Sequence, residues 1–357
     1  MNLIGLYSNT PNPIVLQRFK TFKKNDIDFK ILYGLRKKSQ IKLDVDKKYI
    51  NSGLEPIEID DVRGLAFKRL YILYLFYIAA SSKKGHLYAF YPDMLFVAVL
   101  IKIRSGFKKK IFYEIQDLNY KNIFLRLVHN IFMLFTSKIF LTSKFFTIDY
   151  LYLFKKILMK KSLYVSNAPY LSDFKLAQCP HEKREDPTIG FIGNLRDFYQ
   201  LEVIEFLLEQ TSLNVLQAGA SDYKDSLKEL ELKYKSRFVS MGKFHFDDLP
   251  NIWKKVDFVW CVYPETYNYK YHIARRLHEA AHIGMPVILS KYALGNIQYA
   301  EEYKLKYIIF KKDDTCNFLK KIYEYFEINI HSRDRSKNNY ESYDMFKKEH
   351  IKAILGD

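Results

Sequence analysis

The sequence predicts an α/β protein built from two tandem halves, each a parallel sheet covered by helices on both faces. Three observations predict this. Short apolar runs alternate with stretches of helical length, the pattern of strands buried on both sides. The chain has 357 residues, more than the roughly 250–300 at which single cores stop growing. The alternation also lapses once, at 179–187, where a polar, charged stretch lies between two prolines, and then starts again.

In the first half, residues 3–7 read as a buried strand that Pro11 and Pro13 end. Residues 15–24 follow as an amphipathic helix and 28–33 as a second strand. Residues 63–80 have helical length. Residues 85–90 form a strand and Tyr91-Pro92-Asp93 a turn. A helix at 94–104, a strand at 110–115, a helix at 123–135, a strand at 138–142 and a helix at 145–158 come next. A last strand, 163–166, runs into Asn167-Ala168-Pro169. The second half places strands at 188–192, 214–218, 238–241, 258–262, 286–289 and 307–310. Helices lie between them at 201–210, 224–233, 247–255, 273–283 and 295–303, and then at 316–326 and 340–354. The expected division is a first domain at 1–178, a linker at 179–187, a second domain at 188–335 and a C-terminal helical segment at 336–357 that packs back on the first domain. In open sheets of this kind ligands bind beyond the carboxyl ends of the strands, and two facing halves make a cleft.

Composition narrows the classes. The chain is 48% hydrophobic and 27% charged, which excludes a disordered polymer. The formal net charge is +17, which attracts polyanions. The excess reads as spread along the chain, with the densest clusters at Lys108 to Lys110 and Lys155 to Lys161. Cys179, Cys261 and Cys316 have no metal-ligand spacing and are an odd number, so neither a zinc site nor a disulfide framework is expected. The start has no basic stretch followed by a long apolar run, so a cytoplasmic location is expected. The most apolar stretch, 70–80, is too short to span a bilayer. Ser8-Asn9-Thr10 after the first strand offers no glycine-rich phosphate loop, which argues against dinucleotide oxidoreductases and P-loop enzymes. His129, His245 and His282 read as ordinary histidines.

The informative segment runs from Asn268 to Ile288. Arg276 and Glu279 are three apart on a helix and share a face. Gly284 fits the helix end and Pro286 the start of the next strand. A helix N-terminus with a cation and a carboxylate beside it suits a nucleoside diphosphate, the arginine facing phosphate and the carboxylate facing ribose hydroxyls. Spacing alone favours a surface ion pair.

The same segment resembles the nucleotide-sugar site of retaining glycosyltransferase family 4 and its GT-B relatives, with Arg276, Glu279, Gly284 and Pro286 on matching positions. Residues 189–196, the Ser240-Met241-Gly242 turn, the stretch from Leu249 to Asp257, and Val262-Tyr263-Pro264 follow the family's order, so the resemblance covers about 188–310. The first half is similar more loosely. Residues 13–18 carry an arginine at the first helix, and Asp93 stands in a turn after a strand. Tyr113-Glu114-Ile115-Gln116-Asp117 has Gln116 where the family has histidine, and Asn167 and Pro169 close the domain. Tyr271 stands eight positions before Glu279, where the family's first glutamate would be.

The resemblance implies a GT-B fold, two Rossmann-like domains with parallel sheets facing across a cleft. It implies a hexosyltransferase that retains anomeric configuration, with a nucleotide-sugar donor, UDP-sugar first and GDP-sugar second. No essential cofactor or metal is implied. Asn194, Arg196, Arg276 and Glu279 would hold the donor, and Glu114, Gln116 and Asp117 would stand near the reacting centre. The acceptor would be a glycan or a lipid-linked hydroxyl in bacterial surface polysaccharide synthesis. The basic surface and the apolar segment at 70–77 fit peripheral docking on an anionic inner leaflet of the plasma membrane. Rival readings are a GT-B nucleotide-sugar epimerase, a non-catalytic GT-B protein and a nucleic-acid-binding protein. The ordered donor-site motifs weigh against nucleic acid as a partner.

Overall fold

A computed structural model of the chain describes residues 1–9, 11–36, 53–59, 67–117, 122–149, 153–170, 185–195, 197–244, 248–329 and 342–356. The chain divides into two compact units. One comprises Met1–Asn167 together with Asp344–Asp357, and the other Ala168–Tyr343. The expected linker falls inside the second unit, and its residues 179–184 lie outside the described ones.

The first unit holds a seven-stranded parallel sheet. Its strands are β1 (Asn2–Tyr7), β2 (Asp28–Arg36), β3 (Leu54–Ile59), β4 (His86–Phe90), β5 (Ile111–Ile115), β6 (Lys138–Leu141) and β7 (Ser162–Tyr164). They lie in the order β3-β2-β1-β4-β5-β6-β7. The order reverses between β1 and β4, so the crossovers put helices on both faces. Helix α1 (Pro13–Lys24) starts sharply because the Asn12 Oδ1 accepts from the Val15 N–H at 2.9 Å and Pro13 fills the first turn. Helices α2 (Lys68–Ser81), α3 (Pro92–Arg104), α4 (Ile123–Leu134), α5 (Phe146–Asp149) and α6 (Lys155–Lys161) follow. The core is aromatic. Phe22, Phe29, Tyr88 and Phe140 meet at ring separations of 5.0 to 5.8 Å, and His350 of the C-terminal segment sits 4.2 Å from the Phe140 ring.

The second unit holds a six-stranded parallel sheet, β8 (Thr188–Ile192), β9 (Asn214–Ala218), β10 (Phe238–Ser240), β11 (Phe258–Cys261), β12 (Val287–Ser290) and β13 (Tyr307–Phe310). Its order is β10-β9-β8-β11-β12-β13, so the reversal lies between β8 and β11. Its helices are α7 (Phe198–Gln210), α8 (Lys224–Lys233), α9 (Leu249–Lys254), α10 (Tyr267–Tyr271), α11 (Arg275–Ile283), α12 (Leu294–Glu302) and α13 (Thr315–Asn329). Trp260 stacks on Phe191 at 4.9 Å and meets the Phe310 edge at the same distance, joining β8, β11 and β13 in one core. The final helix, α14 (Tyr343–Leu355), begins at the boundary between the units.

Four expectations change. Strand β3 was not expected, because Pro56 interrupts its pattern. It lies at the sheet edge, where a missing N–H is tolerated. The single helix expected at 145–158 is two, α5 and α6, with 150–152 outside the described residues. The short helix α10 was not expected. It starts where the Thr266 side chain accepts from the Tyr269 N–H at 3.4 Å. The helix expected from 273 begins at Arg275.

Candidate functional site

In the second unit the site forms where the strand order reverses. A pocket of about 230 Å³ opens at the carboxyl ends of β8 and β11. Its walls include Gly193 and Asn194 after β8, Trp260 and Tyr263 at β11, and Arg275 and Arg276 at the start of α11.

Local sequence explains each placement. Gly284 ends α11 in the left-handed conformation, φ 67°, with Met285 N–H bonded to Ala280 O and Gly284 N–H to Ala281 O. That cap turns the chain into Pro286 and β12. At the other end of α11, Asn296 Oδ1 accepts from the Ala274 N–H at 2.9 Å and fixes where the helix begins. The loop beside the pocket needs glycine at 219. A Cβ there would lie 1.9 Å from Gly193 O, and φ is +142°. The close approach lets the loops after β8 and β9 run side by side. A second hollow, about 460 Å³, lies at the ends of β9 and β10 and is lined by Gln217, Gly219, Ser221, Lys224, Ser240 and Gly242 among others.

Arg276 donates from Nε to Ile192 O at 3.1 Å and from Nη1 to Glu279 Oε2. Its guanidinium also lies 5.9 Å from the Phe244 ring centroid. Arg275 donates from Nε to the other Glu279 oxygen at 3.3 Å. Glu279 is 2% exposed. One buried carboxylate thus holds two arginines at a helix N-terminus, where donors and positive potential already face outward. Glu279 itself stands behind the pocket wall rather than in it. Asn194 lines the pocket, and its Oδ1 accepts from Ala220 N–H at 3.3 Å. Arg196 lies outside the described residues.

Sequence reasoning missed Arg275, although it is four residues before Glu279 and so shares its face. It also missed the aromatic wall. Tyr263 and Tyr269 stack at 4.7 Å with rings 16° apart, and His272 stands 6.5 Å from Tyr269. Burial raises the Tyr263 hydroxyl pKa well above its usual value. Burial also pushes the Cys261 thiol up to about 12, which leaves it an inert core group. Tyr271 is buried on α10 and is not part of the pocket wall. Asp257, matched by resemblance, has a structural task. Its Oδ2 accepts from Thr188 N–H at 2.8 Å and ties β11 to β8.

The first unit gathers its candidates around one buried carboxylate. Glu114 at the end of β5 is fully buried. Its Oε2 accepts from Arg18 Nε at 3.0 Å and from the Tyr88 hydroxyl at 2.6 Å. Its Oε1 accepts from Gln116 Nε2 at 3.1 Å. The Gln116 Oε1 accepts in turn from Asn12 Nδ2 at 3.4 Å. Arg18 Nη2 also donates to Ser166 O at 3.2 Å and to Asn167 Oδ1 at 3.4 Å. Arg18, Glu114, Gln116 and Asn167, separate in sequence, therefore meet. Asp117 is half-buried at the end of the same loop. Where β1 and β4 end, Tyr7 and Tyr91 stack at 5.3 Å. Tyr91 has φ +67°, a conformation that costs a non-glycine residue about 1–3 kcal/mol. Asp93 caps its own turn, its Oδ1 accepting from Met94 N–H at 2.9 Å.

No family model and no curated protein matches the chain. Solved structures do. HepE of Anabaena, in complex with UDP and glucose, is similar over 99% of each chain at TM-score 0.70 and 14% identity. A glycosyltransferase from Rickettsia africae matches over 100% of this chain and 99% of its own, at 0.69 and 13%. A UDP-N-acetylglucosamine 2-epimerase (putative by its own description) from Listeria monocytogenes matches over 99% of this chain and 96% of its own, at 0.61 and 12%. Likeness at these identities speaks for the fold. The chain has the GT-B fold, with two parallel α/β sheets of seven and six strands.

Proposed function

We propose that the protein is a glycosyltransferase that moves a hexose from a nucleoside diphosphate sugar to a hydroxyl group. The observation that carries this reading is the Arg275–Arg276–Glu279 cluster at the β8–β11 reversal. Two guanidinium groups and a helix N-terminus there suit a diphosphate, and fixed positive charge at that point stabilises a leaving nucleoside diphosphate. Asn194, on the loop after β8, would add a phosphate contact, and the resemblance implies the same task for Arg196. The hollow at the ends of β9 and β10 would take the nucleoside. Glu279, behind the wall, would hold the two arginines in place for the diphosphate; the ribose contact that the resemblance implies would need the arginines in front of it to give way.

UDP is the favoured base. The HepE structures, one with UDP and glucose and one with UDP-glucose, support that choice. Resemblance to the retaining family supports retention of configuration and a reaction that needs no metal. The acceptor would belong to the first unit. There Glu114 positions Gln116, and Gln116 and Asp117 orient the incoming hydroxyl, which Asp117 helps to deprotonate. The acceptor class in this reading is a glycan or a lipid-linked hydroxyl of bacterial surface polysaccharide synthesis.

The test is product analysis with UDP-hexoses, with and without acceptor glycans. Acceptor-dependent release of UDP with a new glycosidic product is expected. The likeness to the Listeria epimerase favours one second reading. Conversion of the sugar with donor alone would establish that reading and reject transfer.

A further inference from the structure

The net charge of +17 belongs to one unit. Met1–Asn167 with Asp344–Asp357 carry 32 Lys and Arg against 15 Asp and Glu, whereas Ala168–Tyr343 carry 25 against 25. The even spread suggested by basic residues along the chain is therefore misleading, because carboxylates balance them only in the second unit. Within the first unit the excess is denser still. Residues 67–166 hold 17 Lys and Arg against four carboxylates, Asp93, Glu114, Asp117 and Asp149.

The same stretch leaves an apolar face uncovered. Helix α2 packs on β2, β3 and α3, yet only Phe76 and Ala80 of its 14 residues are buried. Phe67, Leu70, Tyr71, Tyr74 and Ile78 recur at helical spacing and are 43 to 67% exposed. The stripe continues on the neighbouring helices, with Ile103 and Phe107 at the end of α3 and Phe124 on α4 exposed. The inner sides of α2 and α3 lie on the sheet, so these residues face outward. A run of large exposed apolar residues over adjacent helices marks an interaction surface rather than ordinary scatter. Cations flank it. Lys68 and Arg69 open α2, Lys84 follows it, and Lys108 and Lys110 follow α3. Arg104 lies over the Tyr77 ring at 5.7 Å and donates to its hydroxyl.

We propose that the outer face of α2, α3 and α4 docks on an anionic lipid bilayer, with the stripe of α2 seated at headgroup depth and the flanking cations on lipid phosphates. Three arguments choose this occupant. The exposed apolar residues run along one side of α2, the arrangement of a helix that lies in the plane of an interface. Its tyrosines have the apolar body and polar tip that interfaces favour. A second copy would bring another unit of charge +17 against the first, and like charges of that size repel. A bilayer rich in acidic lipid supplies the opposite sign and a place for apolar side chains together. The proposal is independent of the donor reading, since every residue it uses lies in the first unit.

Flotation with vesicles tests it. The full-length protein is mixed with vesicles of phosphatidylcholine alone or of phosphatidylcholine with phosphatidylglycerol. Two variants are compared, Leu70→Ser/Tyr74→Ser/Ile78→Ser and Lys68→Gln/Arg69→Gln. UDP binding and melting temperature are followed in each, so a loss of fold or of the donor site is seen separately. The wild type is expected to float with the mixed vesicles and to come off as salt rises. The charge variant is expected to bind about tenfold more weakly, and the stripe variant at least as much more weakly, both with unchanged melting. Equal flotation on both vesicle types overturns the proposal, as does wild-type binding by the stripe variant. A dimer that the stripe variant abolishes, or binding to duplex DNA in place of vesicles, also overturns it.

Discussion

Arg18 and Glu114 form an ion pair with no solvent contact. The Nε of one lies 3.0 Å from the Oε2 of the other, and both side chains are 0% exposed. One comes from the middle of α1 and the other from the end of β5. A buried pair of this kind contributes little net stability, but removing one partner leaves a charge in a low-dielectric interior. Glu114→Leu and Arg18→Met are each expected to lower unfolding free energy by about 3–5 kcal/mol. The double variant Arg18→Met/Glu114→Leu is expected to recover much of that loss. Urea denaturation of the four proteins measures it, and additive losses would show that the pair is not coupled.

Tyr88 carries the network to the C-terminal helix. Its hydroxyl donates to Glu114 and lies 3.1 Å from His350 Nε2. Tyr88→Phe takes one donor from a buried carboxylate and is expected to cost about 1–3 kcal/mol. His350→Ala also opens space beside Phe140 and should cost at least as much. Chain ending before Asp344 is expected to destabilise the first unit selectively, seen as lost hydrogen-exchange protection in β4, β5 and α1 with the second unit unchanged.

Among the described residues three buried histidines set the acid limit. Burial lowers the pKa of His129 to about 3, and it depresses those of His278 and His350 well below the usual value. These imidazoles stay neutral in the fold but charge near pH 6.5 when unfolded. The unfolded chain then binds more protons, so stability rises with pH across that window. It is complete above about pH 6.5 and falls as pH drops, by about 2 kcal/mol for His129 alone at pH 5. Melting temperatures between pH 8 and 4.5 check this, with a smaller acid loss expected for His129→Gln.

Gly219 tests the packing of the loop that carries Gly193, a residue of the pocket wall. Gly219→Ala puts a methyl group against Gly193 O and forces a β-carbon into φ +142°. The loops after β8 and β9 must separate. UDP affinity is expected to fall at least about tenfold, since a shift of ~1 Å is enough to disturb phosphate contacts. Gly106→Ala, with φ +61° but open space around it, should keep wild-type affinity.

The alternation of apolar runs with helical stretches made both sheets legible, because strands such as β1 and β11 are buried on both faces and read as apolar runs. Strand β3 was not legible, since its burial alternates and Pro56 reads as a break. Arg276, Glu279 and Gly284 were legible as one unit because helical spacing and the glycine cap fix their geometry locally. The burial of Glu114 was not. Its partners Arg18 and Tyr88 lie 96 and 26 residues away in sequence, and only the strand order brings them together. Confinement of the charge to one unit was hidden for the same reason, because acidic residues that neutralise the second unit are scattered along it.

In the proposed reaction the pocket at the ends of β8 and β11 holds a nucleoside diphosphate through Arg275 and Arg276, which Glu279 keeps in place. Calorimetric titration of UDP and GDP into the wild type and Glu279→Gln tests it most directly. UDP is expected to bind the wild type more tightly than GDP does, and Glu279→Gln to lose at least about tenfold in affinity as the two arginines lose their shared carboxylate. Absence of binding to either nucleotide, or equal affinity in the variant, would contradict it.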